Sequence, residues 1–161
     1  MLIFAQTRKM RKFFLLSVCP LAIALLFAQC NKAERQLKKD KKIIEQYIKD
    51  HGLTAQSTED GLYYVIENAG TGTQPSSSST VKVAYKGYYT DGRAFDASHV
   101  SGVDFSLATV IKGWQIGIPK FKEGGKGILL IPSGLGYGPK GRGDIPGNEV
   151  LIFDITLIDV L

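Results

Sequence analysis

The period of the hydrophobic pattern changes twice along the chain. Residues 13–28 are almost wholly apolar and follow a basic cluster made of Arg8, Lys9, Arg11 and Lys12. Residues 33–50 carry apolar side chains at helical spacing, with Lys and Glu on the other face. From Leu62 onward apolar and polar residues alternate with a period of two, which predicts β-strands. The pattern therefore predicts a leader, a charged helix and a β-rich domain.

The first 29 residues have the basic and apolar regions of a bacterial export signal. The apolar run is about 16 residues long and contains Pro20, so it is short for a helix that crosses a bilayer. A cleaved leader is favoured over a retained transmembrane anchor for this reason. We predict a signal peptide over residues 1–29 and export to the periplasm or to a membrane.

Cys30 directly follows this leader. A cysteine in this position resembles the lipid-attachment site of bacterial lipoproteins, although Phe27 and Gln29 differ from the small residues of that site. The alternative is cleavage after Ala28, which would leave Cys30 as a free thiol. A lone thiol is a liability in an oxidising compartment, so the hypothesis we prefer is a lipid on Cys30 and a membrane-anchored protein.

A helix with one narrow apolar stripe is predicted after Cys30. Gly52 stands where helices commonly end in a left-handed cap. Such a charged helix is typical of a solvated spacer with a docking face. We assign residues 30–61 to a stalk helix and connector, and residues 62–161 to the folded domain. The stripe is formed by Leu37, Ile44 and Ile48, with Ile43 and Tyr47 beside it.

Four strands, the last of them long, and one short helix are predicted inside that domain. The strands begin with the alternation after Leu62 and continue at residues 80–90, 126–131 and 149–160. The last has apolar residues on both faces, which indicates a central, covered strand. Val110, Ile111 and Trp114 form one apolar face of a helix that Pro119 ends. The fold class is α+β, an antiparallel sheet with one short helix against a face.

The charge distribution argues against a nucleic-acid partner. The net charge is +5, but the leader contributes four basic residues and no acidic one. Residues 31–51 contain seven basic and four acidic residues, whereas residues 52–161 contain nine and eleven. The folded domain is therefore slightly acidic and lacks the basic surface that nucleic acid requires.

Motifs for cofactors and metals do not fit. Residues 136–141 match the dinucleotide-binding motif G-x-G-x-x-G, which must open a helix. Pro139 and the polar loop after it do not allow a helix here. His51 and His99 lie in different segments without metal-ligand spacing. His99 is also too near Ser98 and Asp96 in sequence to build a catalytic triad easily. Asp96 and the other carboxylates of the turns form no convincing acid–base pair. We expect neither a cofactor nor a metal.

Aromatic residues remain as candidates for chemistry, and two interpretations of them stay open. Aromatic side chains of small β-rich domains usually pack in the core. Tyrosine and tryptophan also carry a polar group at one end, which suits a pocket that is partly open to solvent. One tyrosine lies in the glycine-rich loop 133–148. The residues concerned are Tyr85, Phe95, Phe105, Trp114, Tyr137 and Phe153.

The order of these residues resembles the FKBP-type peptidyl-prolyl cis-trans isomerases, and the resemblance covers residues 62–161. Each motif is weak alone, but six in family order and spacing are specific together. The matching segments are V-x-Y-x-G from Val83, D-G-x-x-F-D-x-S from Asp91, V-I-x-G-W from Val110, G-G-K-G followed by I-P-S from Gly124, Tyr-Gly at Tyr137, and I-P followed by L-I-F-D-I from Ile145.

The resemblance implies a twisted antiparallel sheet wrapped on one short helix, preceded here by the stalk helix. It implies isomerisation of X-Pro bonds in exported proteins, with proline-containing polypeptides as clients, macrolides as inhibitors and no cofactor. Catalytic roles would fall to Tyr85, Asp96, Tyr137 and Phe153. Substrate would be bound by Phe95, Phe105, Val110, Ile111, Trp114 and Ile145.

Two alternatives to this function stay open. The first is a catalytically weak chaperone or binding module on the same fold. The second is a structural surface lipoprotein whose aromatic residues only pack. Departures from the family pattern are few: Asp144 stands beside Ile145 where many relatives are apolar, and Pro119 shortens the end of the helix.

Overall fold

The computed structural model describes residues 31–161, so the predicted leader and Cys30 lie outside the described residues. Residues 31–50 are helical and are called α1, in agreement with the predicted helix. Gly52 follows with φ of +62°, the left-handed conformation expected after a helix end. From Gln36 to Leu161 the chain forms one compact unit that includes most of α1.

The described residues contain one antiparallel sheet of seven strands, which confirms the predicted fold class. Strand β7 lies between β6 and β3, as the apolar residues on both of its faces predicted. The spatial order is β1-β2-β6-β7-β3-β4, with β5 also paired to β3. The strands are β1 (Gln56–Ser57), β2 (Tyr63–Asn68), β3 (Thr80–Tyr88), β4 (Ala94–Ala97), β5 (Val103–Ser106), β6 (Lys126–Ile131) and β7 (Leu151–Val160).

The sheet buries both of its faces because successive side chains of β6 and β7 point to opposite sides. Leu129 and Phe153 belong to the larger core on one face, whereas Ile128 and Ile152 belong to a second cluster on the other. Each face therefore needs its own cover.

Helix α2 (Lys112–Gly117) packs on the larger core. Gly113 and Gly117 let it approach closely, because a Cβ on Gly113 would stand 2.5 Å from Ile131 and one on Gly117 would stand 2.7 Å from Leu129. Pro119 lies in the 3₁₀ turn that follows, as expected of a residue that cannot continue the helix.

Helix α1 covers the second face instead of standing free in solvent. Ile44 is fully buried in the second cluster, with Tyr47 and Ile48 packed against it. Tyr63 of β2 also donates a hydrogen bond of 2.8 Å to Glu45 of the helix. The docking face expected of this helix is therefore occupied by its own domain from Gln36 onward. No helix among residues 31–161 has the length and apolar character needed to cross a bilayer.

The short strands were not predicted from the sequence. Asp96, which the sequence placed in a turn, lies in β4, and Asp104 lies in β5. Both strands are four residues long, at the edge of the sheet, and mostly exposed, so they carry almost no hydrophobic period. The turn predicted at Asp91 and Gly92 is present, with Gly92 at φ of +85°.

Candidate active site

A concave pocket of about 770 Å³ opens on the α2 side of the sheet. Its size falls within the range usual for small-molecule sites. All ten pocket residues expected from the sequence line it, and they come from β3, β4, β5, the two residues before α2, α2 itself, the loop before β7, and β7. They are Tyr85, Phe95, Asp96, Phe105, Val110, Ile111, Trp114, Tyr137, Ile145 and Phe153.

Trp114 is the centre of an aromatic cluster in this pocket. The ring centroids of Tyr85, Phe105 and Phe153 lie 5.1, 5.2 and 5.4 Å from its own, and all three contacts are edge-to-face. Such contacts fix the ring planes more firmly than apolar burial alone. Trp114 is only 4% exposed, so it is held as part of the core while it still lines the pocket. The two interpretations of the aromatic residues are therefore both partly correct.

The start of α2 places main-chain polar groups beside Trp114. Ile111 caps the helix, and its carbonyl accepts hydrogen bonds from the N–H groups of Trp114 and Gln115. The side chain of Gln115 donates to the carbonyl of Val110 at 2.8 Å, which holds the residues before the helix in place. Among residues 31–161 no acceptor takes the N–H of Ile111, so this donor is available to a bound molecule.

A hydrogen bond between β3 and β4 forms one polar edge of the pocket. The hydroxyl of Tyr85 donates to Oδ2 of Asp96 at 2.7 Å. Ser98 holds the two strands together here, because its Oγ accepts from the N–H of Tyr85 and its own N–H donates to the carbonyl of Tyr85. Burial and, to a smaller extent, the hydrogen bond to Asp96 raise the pKa of Tyr85 to about 12. Tyr85 therefore stays protonated at neutral pH.

Gly87 makes room for the aromatic wall. A Cβ at this position would stand 2.6 Å from the ring of Phe95 and 2.8 Å from the ring of Phe153. These two rings pack edge-to-face with centroids 5.5 Å apart, directly over the missing side chain. The glycine of the V-x-Y-x-G motif is thus explained by the closeness of the two rings.

The loop between β6 and β7 carries Tyr137 and Ile145 to the pocket. Arg142 and Ile145 exchange two main-chain hydrogen bonds, of 2.9 and 3.0 Å, which close a tight turn. Gly141 has a φ of +67°, and a Cβ there would collide with the carbonyl of Ile145. The loop is therefore shaped by its own main chain.

Four lining residues were not among the predicted site residues: Thr109, Arg142, Gly143 and Asp144. Asp144 had been noted only as a departure from the family pattern. The guanidinium of Arg142 lies 5.7 Å from the ring centre of Tyr137, a cation–π distance. The signal that could have identified Arg142 is a charged residue inside a glycine-rich loop that also carries a pocket tyrosine. Within residues 31–161, no group of three or more potential metal ligands is found.

The chain matches the family model described as FKBP-type peptidyl-prolyl cis-trans isomerase over residues 71–158. It is 44% identical over 124 residues to the FKBP-type peptidyl-prolyl cis-trans isomerase FkpA of Escherichia coli strain K12, covering 76% of this chain and 45% of that protein. A probable FKBP-type isomerase of Haemophilus influenzae is 41% identical over 141 residues, 84% of this chain and 58% of the relative. The chain spans about half the length of the curated relatives it matches.

Solved structures of peptidyl-prolyl cis-trans isomerases are also similar to this chain. The peptidyl-prolyl cis-trans isomerase of Pseudomonas syringae is similar with a TM-score of 0.69 at 34% identity, over 79% of this chain and 94% of that one. FkpA of Escherichia coli is similar with a TM-score of 0.68 at 35% identity, over 99% of this chain and 73% of that one. On the matched domain, this chain belongs to the family of FKBP-type peptidyl-prolyl cis-trans isomerases.

Proposed function

We propose that the chain accelerates cis-trans isomerisation of X-Pro bonds in polypeptides. One observation supports the proposal most directly: three aromatic rings meet Trp114 edge-on at 5.1 to 5.4 Å and form, with this buried indole, an aromatic floor in an open pocket. A proline ring is compact and apolar, and it fits such a floor. The family to which the chain belongs supports the same activity.

The pocket favours the twisted amide over the planar one. The barrier to rotation, about 18–20 kcal/mol, arises from the loss of amide resonance. The twisted amide carries less charge on its oxygen than the planar form, so it loses less when water is excluded. An apolar wall therefore binds the twisted form relatively better, which lowers the barrier without any covalent step. Phe105, Val110 and Phe153 supply that wall in this proposal.

Polar groups at the edge would hold the peptide around the bond that rotates. In the proposal, the hydroxyl of Tyr137 donates to a substrate carbonyl, and the free N–H of Ile111 donates to another. Asp96 keeps the Tyr85 hydroxyl turned along the pocket edge through their 2.7 Å hydrogen bond. Phe95 and Ile145 narrow the mouth. None of these roles transfers a proton, and none uses a cofactor.

The decisive experiment measures cis-trans isomerisation of a proline peptide by the purified protein, beside its suppression of aggregation of a denatured client. Isomerisation well above the spontaneous rate supports the proposal. Aggregation suppression without isomerisation would show a chaperone or binding module instead. Neither activity would leave a structural protein whose aromatic residues only pack.

Macrolide binding is a second expectation of the proposed pocket. A macrolide that enters the pocket would cover Trp114, the single tryptophan of the chain. Its fluorescence should therefore change on titration with the ligand. An unchanged spectrum, together with unimpaired peptide turnover at the same ligand concentration, would contradict macrolide binding.

We also propose that the protein acts outside the cytoplasm and is attached to a membrane by a lipid on Cys30. The support is the basic cluster, the short apolar run and the cysteine that follows it. The intact mass of protein extracted from membranes tests this proposal. A chain that begins at Cys30 with added acyl mass supports it, and an unmodified chain that begins at Gln29 contradicts the lipid.

A further inference from the structure

Asp40 of α1 and Ser133 of the loop after β6 are buried together. Among residues 31–161 they are the charged and non-aromatic polar residues that are fully buried, with exposures of 0% and 1%. Both donors of Ser133 point to one carboxylate oxygen: Oδ2 of Asp40 accepts from the Ser133 N–H at 2.8 Å and from its Oγ at 2.6 Å. Gln36 donates to the other oxygen at 2.7 Å. The carboxylate is thus fully engaged inside the protein.

Ser133 begins the turn of the chain that precedes Tyr137. It begins the 3₁₀ turn Ser133–Leu135, and its carbonyl accepts the N–H of Gly136 at 3.0 Å. A Cβ on Gly136 would stand 3.2 Å from Leu151, so this point of the turn lies against β7. Tyr137 follows immediately and lines the pocket. The turn that Ser133 begins therefore lies directly before the tyrosine of the pocket.

We propose that Asp40 is a positioning residue for the active site, which acts across the sheet through Ser133 on Tyr137. Helix α1 covers the face opposite the pocket, so this hydrogen bond couples the docked helix to the substrate side. The inference rests on the isomerase activity proposed above. If Asp40 only stabilised the fold, the loss of turnover on its removal would not depend on whether Tyr137 is present.

Removal of the carboxylate leaves two donors of Ser133 without their acceptor. A buried donor without a partner is costly, so the turn moves until water or another acceptor satisfies it. That movement carries Tyr137 with it. Asparagine, in contrast, keeps one carbonyl oxygen that can accept both bonds from Ser133, and its amide can donate to Gln36.

The test uses the full chain and compares Asp40→Ala with Asp40→Asn, each alone and combined with Tyr137→Phe. Asp50→Ala is the matched control, because Gln46 donates to Asp50 at 2.7 Å on the same helix with the same spacing, but in solvent. We expect Asp40→Ala to reduce kcat/KM by roughly 2- to 10-fold when Tyr137 is present and by less than about 2-fold in the Tyr137→Phe background. Asp40→Asn and Asp50→Ala should stay near the parent in both backgrounds.

Amide hydrogen exchange gives a second measurement that does not depend on turnover. Asp40→Ala should speed exchange at Gly136 while the N–H of Gln115 in α2 remains protected. If Asp40→Ala does not fold, Ser133→Ala removes one of the two bonds and should show the same dependence on Tyr137 more weakly. An equal loss in both tyrosine backgrounds, or no loss in a folded Asp40→Ala protein, overturns the inference. A parent protein without isomerase activity would refute the proposed function instead, and unchanged exchange at Gly136 would then overturn the coupling as well.

Discussion

The Tyr85 hydroxyl donates a 2.7 Å hydrogen bond to Asp96 across the two strands that form one edge of the pocket. The bond joins a tyrosine that also contacts Trp114 to a carboxylate on an exposed edge strand. Two motifs of the sequence, one on each strand, thus meet in a single contact. Because its pKa is raised to about 12, Tyr85 acts here as a neutral donor.

The first prediction concerns the ionisation of Tyr85. Its raised pKa means that the folded protein holds the phenolic proton more tightly than the unfolded chain does. This contribution to stability is complete below about pH 10 and is lost as the pH rises toward 12. Asp96→Ala should lower the pKa of Tyr85 but keep it above the ordinary value, because burial is the larger cause. Ultraviolet titration measures the pKa of Tyr85 when the titration of a Tyr85→Phe variant is subtracted. An unchanged pKa of Tyr85 in Asp96→Ala would contradict the hydrogen bond between the two side chains.

Turnover should be nearly independent of pH between roughly 6 and 8, which is the second prediction. The peptide bond only twists in the proposed mechanism, and Tyr85 stays protonated throughout this range. General acid–base catalysis would instead give a bell-shaped profile. The measurement is kcat/KM for one proline peptide across the range, with the uncatalysed rate subtracted. A steep change near pH 7 would show that proton transfer matters.

Tyr137→Phe provides the third prediction. It removes the hydrogen bond that we propose between the Tyr137 hydroxyl and the substrate, worth about 0.5–1.5 kcal/mol, so kcat/KM should fall by roughly 2- to 13-fold. Tyr64→Phe is the control, because the Tyr64 hydroxyl bonds to Gln56 at 2.9 Å away from the pocket. The control should retain full turnover. Near-total loss in a folded Tyr137→Phe protein would require a chemical role for the hydroxyl that a twisting amide does not need.

The sequence predicts the long elements of this fold because their hydrophobic period extends over many residues. Strand β7 has apolar residues on both faces, and it is central in the sheet. What covers its second face was not predictable in the same way. The stripe on α1 shows that the helix docks somewhere, but Ile44 meets Ile128 and Ile152 only after distant segments come together. Likewise, nothing local links Asp40 to Ser133, 93 residues later.

The pocket residues were found from motifs, whereas the main-chain geometry that arranges them was not. Periodicity alone could not choose between a packed aromatic core and a pocket, and Trp114 turns out to belong to both. The motifs placed Tyr137 and Ile145, but Arg142 reaches the pocket because of a turn with Gly141 at φ of +67°. A backbone conformation of this kind depends on contacts that a sequence pattern does not state. The separation of leader, stalk and domain remains a prediction.

Gly87→Ala is the fourth prediction. The added methyl group would stand 2.6 Å from Phe95 and 2.8 Å from Phe153, so the two rings must move. Overpacking of this kind costs about 1–3 kcal/mol of stability. The rings line the pocket, so we also expect kcat/KM to fall by roughly tenfold. Gly134→Ala is the control, since nothing lies within 4 Å of its Cβ position. Full activity in Gly87→Ala would mean that the ring positions do not affect substrate binding.

The last prediction separates the cover provided by α1 from the chemistry of the pocket. Ile44 is fully buried against the second face of the sheet, whereas its neighbour Ile43 is 44% exposed. Ile44→Ala should lower the free energy of unfolding by about 2–5 kcal/mol, because it removes buried methyl groups and leaves a cavity. Ile43→Ala should change it by no more than about 0.5 kcal/mol. Chemical denaturation of the two variants measures the difference.

Both variants keep Asp40, so each should retain most of its peptide turnover at temperatures where it is folded. Equal stabilities would show that the helix does not cover the sheet in solution, and a large loss of turnover in folded Ile44→Ala would show that the pocket depends on the packing of α1 itself.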